Sequence, residues 1–355
     1  MSGPIHGGDV WRCGKEPPLD FSASLNPLGM APEVRAAALR GVAASVHYPD
    51  PACAALTAAL CAAEGVPEQW VVWGNGAAAV LERAVAALPP GRALLFPPCF
   101  GEYERVLTQY GWDLRFCPLH SAERFDLTEE HLCALTADLN LVLLCTPNNP
   151  TGRAIDPVLL PALLERCAAL DVAVIVDESF LPLTDPSRRA DLRPLFGADR
   201  RLLLLRSLTK SHCIPGLRLG YALCAHPGWT AALRERGDPW SVSVPAQFAG
   251  TAALGRGDWP ERAVELIRAE RSRLTAALRG LGCTVWDSHT NFLLFRVPGV
   301  TDLRGRVLER GILIRSCADF RGLGPEFYRI AVRTGEENTA LLNAFKEVLP
   351  WRGPS

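Results

Sequence analysis

LVLLCTPNNPTGRAIDPVLLPALLERCAALDVAVIVDES (residues 141–179) carries a complete structural unit. It opens on the apolar run LVLLCTP (141–147), passes through the helical pattern PALLERCAAL (161–170) and closes on a second apolar run, VAVIVDES (172–179). Neither run alternates apolar with polar residues. A strand of that kind needs cover on both faces, and a helix between two such strands joins them in parallel. The same alternation extends outward in both directions. WVVWG (70–74), ALLFPP (93–98), RLLLLRSL (201–208) and LGYALC (219–224) read as further strands, and AAAVLERAVAAL (77–88) reads as a helix. The pattern predicts an α/β fold: a mostly parallel sheet with helices on both faces.

The C-terminal part has a different texture. A long charged helical pattern, WPERAVELIRAERSRLTAALRGLG (259–282), leads to NFLLFRV (291–297), GILIRSC (311–317) and FYRIAVRT (327–334). This predicts a small α+β domain with a mostly antiparallel sheet. The expected organisation is a segment over 1–30 that packs across a cleft, a large domain over 31–260 and a small C-terminal domain over 261–355.

Composition narrows the function. The chain has 355 residues, a formal net charge of −1 and an ordinary globular balance of 48% hydrophobic and 21% charged residues. Near-neutral charge gives no reason to expect nucleic acid or an anionic membrane as a partner. None of the 12 cysteines forms a C-x-x-C pair, so buried, reduced thiols and no metal site are expected. MSGPIHGGDVW (1–11) has neither the basic nor the apolar region of a signal peptide, and no apolar run reaches membrane-spanning length. A cytoplasmic protein is the expectation.

Four stretches carry chemistry, each just after a strand-like run. In RSLTKSHCIPGLRLGY (206–221), Lys210 is placed where desolvation would lower its pKa and free the amine to attack a carbonyl. Ser207 and Arg218 offer a hydroxyl and a guanidinium fork to a phosphate. Taken alone, the stretch also fits a solvated lysine after a strand. In CTPNNPTG (145–152), Asn149 can donate its amide, although an Asn-Pro turn explains the string as well. In VIVDES (174–179), Asp177 ends an apolar strand, where a carboxylate needs a cation or a donor; a helix cap is the alternative. In WGNGAAAVLERAV (73–85), a turn precedes a helix whose first N–H groups, at Gly76, Ala77 and Ala78, suit a phosphate.

Taken together and in this order, the phosphate turn, Asn149, Asp177 and Ser207-x-x-Lys210 resemble the fold-type I enzymes that use pyridoxal 5′-phosphate, the aspartate aminotransferase superfamily. The resemblance covers nearly the whole chain. It implies that Lys210 carries the cofactor as a Schiff base and that Asp177 pairs with the pyridine nitrogen. It implies that Asn149 bonds the ring hydroxyl and that Ser207 and Arg218 bind the cofactor phosphate. Phe100 in PPCFGEY (97–103) matches the aromatic that stacks on the ring, although a core phenylalanine fits too. Tyr48 in HYPDP (47–51) matches a tyrosine that reaches the cofactor phosphate of a neighbouring subunit, which implies a homodimer; a turn tyrosine is the alternative. Arg329 matches the arginine that binds the substrate carboxylate in the aminotransferases, and Arg333 is expected on the same side by the period of two. One departure stands out: many relatives have D-E-A-Y, and here the string ends in Phe180, which cannot make the second bond to the ring hydroxyl.

Two branches fit best. Histidinol-phosphate aminotransferases share Y-P-D, N-N-P-T-G and a C-terminal arginine. HGGDVW (6–11), DFSASLNPLG (20–29), SLTKSHCIPGLRLGY (207–221) and SCADFRGLGPEFYRIAVR (316–333) are closer to the decarboxylases of L-threonine O-3-phosphate in cobalamin biosynthesis. That branch implies a small phosphorylated amino-acid substrate. The candidates to bind it are His6, Asn26, Arg315 and Arg329, with Arg321 as a further cation. Surface solvation is the alternative for Arg315 and Arg321, and solvent exposure for His6. A catalytically silent protein that retains the fold stands as the non-enzyme alternative.

Overall fold

The computed structural model describes residues 7–14 and 16–349. In chain order the strands are β1 (Leu19–Asp20), β2 (Val71–Asn75), β3 (Arg92–Leu95), β4 (Asp113–Phe116), β5 (Leu141–Cys145), β6 (Ala173–Asp177), β7 (Leu202–Ser207), β8 (Leu219–Cys224), β9 (Thr284–Val285), β10 (Phe292–Arg296), β11 (Ile312–Leu313), β12 (Arg315–Ser316) and β13 (Phe327–Ala331). Seven of them form one sheet in the order β2-β8-β7-β6-β5-β3-β4. It is parallel except for β8, which runs against both β7 and β2.

The unbroken apolar runs are explained by cover on both faces. Val142, Leu144, Val174, Val176, Leu202 and Leu204 enter one core. Their alternating neighbours Leu141, Leu143, Ala173, Ile175, Leu203 and Leu205 enter the other. The flanking helices include α1 (Pro32–Ala43), α2 (Ala54–Glu64), α3 (Ala77–Ala86), α4 (Gly101–Gln109) and α5 (Leu159–Ala169). Four-residue α6 (Leu208–Ser211) follows β7, and α7 (Pro227–Glu235) and α8 (Val244–Leu254) follow β8. Strand β4 had no apolar signature: Asp-Leu-Arg-Phe at the sheet edge alternates exposed with half-covered residues.

The remaining helices are the 23-residue α9 (Asp258–Gly280), α10 (Leu303–Leu308) and α11 (Gly335–Val348). They cover an antiparallel sheet of order β12-β13-β10-β9. Its core joins Leu274 and Leu278 of α9 and Leu341 and Phe345 of α11 to Leu293, Phe295, Tyr328 and Ile330. The early chain touches both sheets' surroundings. Strand β1 pairs in parallel with β11, while the Asn26 N–H donates to the Lys210 carbonyl at 3.0 Å. All 12 cysteines are unpaired. Among the described residues, no helix is long and apolar enough to cross a membrane.

Candidate functional site

The carboxyl ends of β5, β6 and β7 open on a cavity of about 450 Å³. Register explains the convergence: Cys145 pairs with Asp177, Asp177 with Leu205 and Ser207 with Gly220. The residues that follow each strand therefore reach one level. Asn149, Asp177, Ser207, Lys210 and Arg218 all line the cavity, with Ala77, Ala78 and Phe100.

Lys210 sits on α6, which the Ser207 side chain caps by accepting the Thr209 N–H. Its Nζ is 3.4 Å from Ser207 Oγ and 5.7 Å from the centroid of the Phe180 ring. Burial lowers its pKa, and Asp177 opposes the shift through space. The result is an amine that loses its proton more readily than a lysine in water. Asp177 is held at both oxygens: Ser179 N–H donates to Oδ1 at 2.8 Å and Tyr103 Oη to Oδ2 at 2.7 Å.

At the other end of the cavity, Gly76 precedes α3 at φ 80° and ψ 162°, a region essentially confined to glycine. A Cβ there would lie 2.3 Å from Arg218 Nη2. A Cβ on Gly220 would lie 2.3 Å from the Ala77 backbone nitrogen. The two glycines thus let a guanidinium and a helix N-terminus share one spot. No carboxylate among the described residues forms an ion pair with Arg218. A helix start, a hydroxyl and an unneutralised guanidinium make an anion cradle.

The opposite wall comes from the small sheet. Arg315 and Arg329 are cross-strand partners on β12 and β13, so both guanidiniums face the cavity. Arg329 bonds Asn149 Oδ1 and donates to the Ser22 carbonyl at 2.8 Å. Its Nε is buried without a partner among the described residues, and burial pushes its pKa down to about 10. Arg315 is gripped by both oxygens of Asp319 at 2.9 and 2.7 Å. It is buried, not surface-solvated. Ser24, also in the wall, has a buried hydroxyl with no partner among the described residues.

Other expected residues lie elsewhere. Asn26 is buried but does not line the cavity: its Nδ2 donates to Ser211 O at 2.8 Å and its Oδ1 accepts the Leu28 N–H at 2.9 Å. The Nδ2 end holds the early chain against α6, and the Oδ1 end closes a local turn. Arg321 pairs with Glu104 at 2.6 Å and lies 4.1 Å over the Phe116 ring, outside the cavity. Arg333 departs from the expected period because β13 ends at Ala331; it donates to the Asp20 carbonyl at 2.9 Å instead. Tyr48 points outward, 80% exposed, with its ring centroid 4.9 Å from that of Trp240. His6 lies outside the described residues. Phe180 lines the cavity and packs edge-on against Phe292. Sequence reasoning missed Tyr103, whose one signal was its place three residues after Phe100 at a helix start.

The cavity fits pyridoxal 5′-phosphate: an amine of lowered pKa, a fixed carboxylate, an aromatic wall and an anion cradle match its aldehyde, ring nitrogen, ring face and phosphate. Comparison with known proteins agrees. The chain is 38% identical over 339 residues, 95% of its own length and 93% of the relative's, to a threonine-phosphate decarboxylase of Salmonella typhimurium. It is 32% identical over 335 residues, 93% and 88% of the two lengths, to a histidinol-phosphate aminotransferase of Cupriavidus pinatubonensis. The crystal structure of a histidinol-phosphate aminotransferase from Clostridium acetobutylicum superposes with a TM-score of 0.85 at 27% identity, covering 93% of this chain and 98% of that one. Residues 17–345 match the model of aminotransferase class I and II, and the chain belongs to that family.

Proposed function

We propose that the protein is a pyridoxal 5′-phosphate-dependent decarboxylase that converts L-threonine O-3-phosphate to (R)-1-aminopropan-2-ol O-phosphate and CO₂. It works as a cytoplasmic homodimer in building the cobalamin nucleotide loop, with its site between the large (31–260) and small (261–355) parts and the segment 1–30. One observation carries the reading: a cavity with Lys210, Asp177 and an anion cradle on one side and the cross-strand arginines Arg315 and Arg329 on the other. The similarity to a threonine-phosphate decarboxylase supports the choice of reaction.

In this proposal Lys210 holds the cofactor covalently and Asp177 meets its ring nitrogen. Phe100 lies on the ring face and Asn149 reaches the ring hydroxyl. The α3 start at Gly76, Ala77 and Ala78, with Ser207 and Arg218, takes its phosphate. When bound, the cofactor is an electron sink for the pair left behind as CO₂ departs. The protein's residues choose which bond breaks. Arg315 and Arg329, with His6, bind the substrate's anions, and the phosphate takes the bidentate guanidinium contact. That leaves the carboxylate free to stand off the ring plane. Lys210 Nζ would hold the proton given up by the substrate ammonium and deliver it to Cα once CO₂ has left. Phe180 withholds a second donor from the ring hydroxyl.

The dimer rests on an exposed apolar patch. Leu39 and Val42 on α1, Phe248 on α8, and Val46, Tyr48 and Trp240 in the loops are 40–82% exposed, and α1 packs on α8. A second copy covers this patch and brings Tyr48 to the neighbouring cradle. Mixing Tyr48→Phe chains with Lys210→Ala chains tests it: shared sites restore activity in the mixed dimer, and separate sites do not.

Product analysis tests the reaction. Threonine phosphate should give CO₂ and aminopropanol phosphate with no 2-oxo acid present. Inert threonine phosphate, with histidinol phosphate turning over only alongside 2-oxoglutarate, overturns the decarboxylase in favour of the aminotransferase. Borohydride should fix the cofactor on the peptide containing Lys210. A colourless protein that stays unmodified in added cofactor identifies a silent binding protein.

A further inference from the structure

We propose that Tyr103 is a positioning residue that holds the Asp177 carboxylate turned toward the ring nitrogen of the cofactor. The inference rests on the cofactor reading above. Tyr103 lies in the first turn of α4, on the same face as Phe100. The two rings meet edge to face at 5.6 Å. The tyrosine is 1% exposed, and its Oη donates to Asp177 Oδ2 at 2.7 Å. With Ser179 N–H on Oδ1, each carboxylate oxygen has one donor, and the plane of the group is fixed.

The groups around Asp177 show why this bond matters. Lys210 on α6, Arg218 before β8 and Arg329 on β13 face the cavity, and the Cys145 thiol lies beside the carboxylate from β5. Glu178 is next in the chain, but it is paired with Arg206 at 2.7 Å. Among the described residues, Tyr103 is the side chain that donates a hydrogen bond to Asp177. A donor on a carboxylate oxygen stabilises the anion and lowers its proton affinity. The shared proton then stays on the ring nitrogen, where it keeps the ring electron-poor. The phenol holds its own proton throughout, because burial and the nearby carboxylate push its pKa well up.

Tyr103→Phe keeps the ring and removes one O–H. Asp177 Oδ2 loses its side-chain donor, the carboxylate can turn from the ring nitrogen, and that nitrogen is less fully protonated. The covalent linkage to Lys210 then becomes more basic, since the neighbouring positive charge is weakened. The visible absorbance of the holoenzyme, titrated with pH, should show a midpoint raised by about half to one unit. Turnover should fall about tenfold with little change in KM. Cys145→Ala, which alters the same buried cluster without removing the donor, should leave the midpoint in place. Incorporating a fluorinated, more acidic tyrosine at position 103 strengthens the donor and should move the midpoint down, even if Tyr103→Phe fails to fold. An unmoved midpoint in both Tyr103 substitutions overturns the proposal, as does an equal shift in Cys145→Ala, which would mean general loosening. A holoenzyme with no absorbance band from a Lys210 linkage rejects the cofactor reading instead.

Discussion

Replacing Gly76 by alanine should damage cofactor binding far more than folding. Two effects add, and the structure separates them. The backbone at φ 80° and ψ 162° costs an alanine about 1–3 kcal/mol. The new Cβ would also sit 2.3 Å from Arg218 Nη2 and 3.0 Å from its Cζ, so the guanidinium must leave. Losing one charge-assisted bond to a phosphate costs about 1.5–3 kcal/mol, which corresponds to a Kd raised roughly 10- to 150-fold. The assay is a titration of cofactor-stripped protein with pyridoxal phosphate, run beside a thermal melt of the same stripped protein. The strain alone should lower the melt by a few degrees. Gly311→Ala is the control: its φ is +74°, with nothing within 4 Å of the added Cβ. It should share the lowered melt and keep the wild-type Kd. If Gly76→Ala binds cofactor within twofold of wild type, Arg218 does not hold the phosphate and the cradle has been misread.

Three further outcomes are expected. Arg315→Ala should erase most of the preference for phosphorylated over free threonine in kcat/KM, and an unchanged preference would assign the phosphate elsewhere. Asn26→Ala removes two bonds to the backbone, one of them buried, and should cost about 1–3 kcal/mol in denaturant unfolding, with a smaller effect on KM than Arg315→Ala. Burial holds His212 at about 4 in the fold, below its usual 6.5. The unfolded chain therefore binds the extra proton first, and stability is lost as pH falls from about 6.5 toward 4, by on the order of 3 kcal/mol. His212→Asn should make the acid side of the stability curve shallower, and an unchanged slope would refute the assignment.

What was legible in the sequence follows from what the chain buries. Strands β5, β6 and β7 announce themselves because both of their faces meet apolar cores, which leaves runs such as LLLL with no polar break. Strand β4 hides because one edge and half its side chains face water. Strand β1 is two residues long and makes no period at all. The site is legible where function sits immediately after a strand, as at Asn149, Asp177 and Lys210. It is illegible where a partner comes from far along the chain. Tyr103 meets Asp177 across 74 residues, and no spacing rule reports that. Asn26 looked like a polar residue near a ligand, but its amide is spent on the backbone of Ser211 and Leu28.

The charge of the cavity connects the substrate to the fold. The whole chain carries −1, yet Lys210, Arg218, Arg315 and Arg329 converge on one space. Among the described residues, Arg315 is the one of these with a carboxylate on it: Asp319, whose side chain is 36% exposed against 7% for the arginine. Among the described residues, therefore, Arg329 is held by Asn149 and the Ser22 carbonyl with its Nε buried, while Arg315 is already neutralised. On the proposed function, a monoanion would gain little by competing with Asp319 for Arg315. A phosphate dianion carries enough charge and enough oxygens to bridge both guanidiniums, and the exposed Asp319 side chain can swing toward water as it does so. On the proposed function, discrimination between phosphorylated and free threonine comes from this exchange. The register that sets Arg315 opposite Arg329 makes one bridge between the two possible.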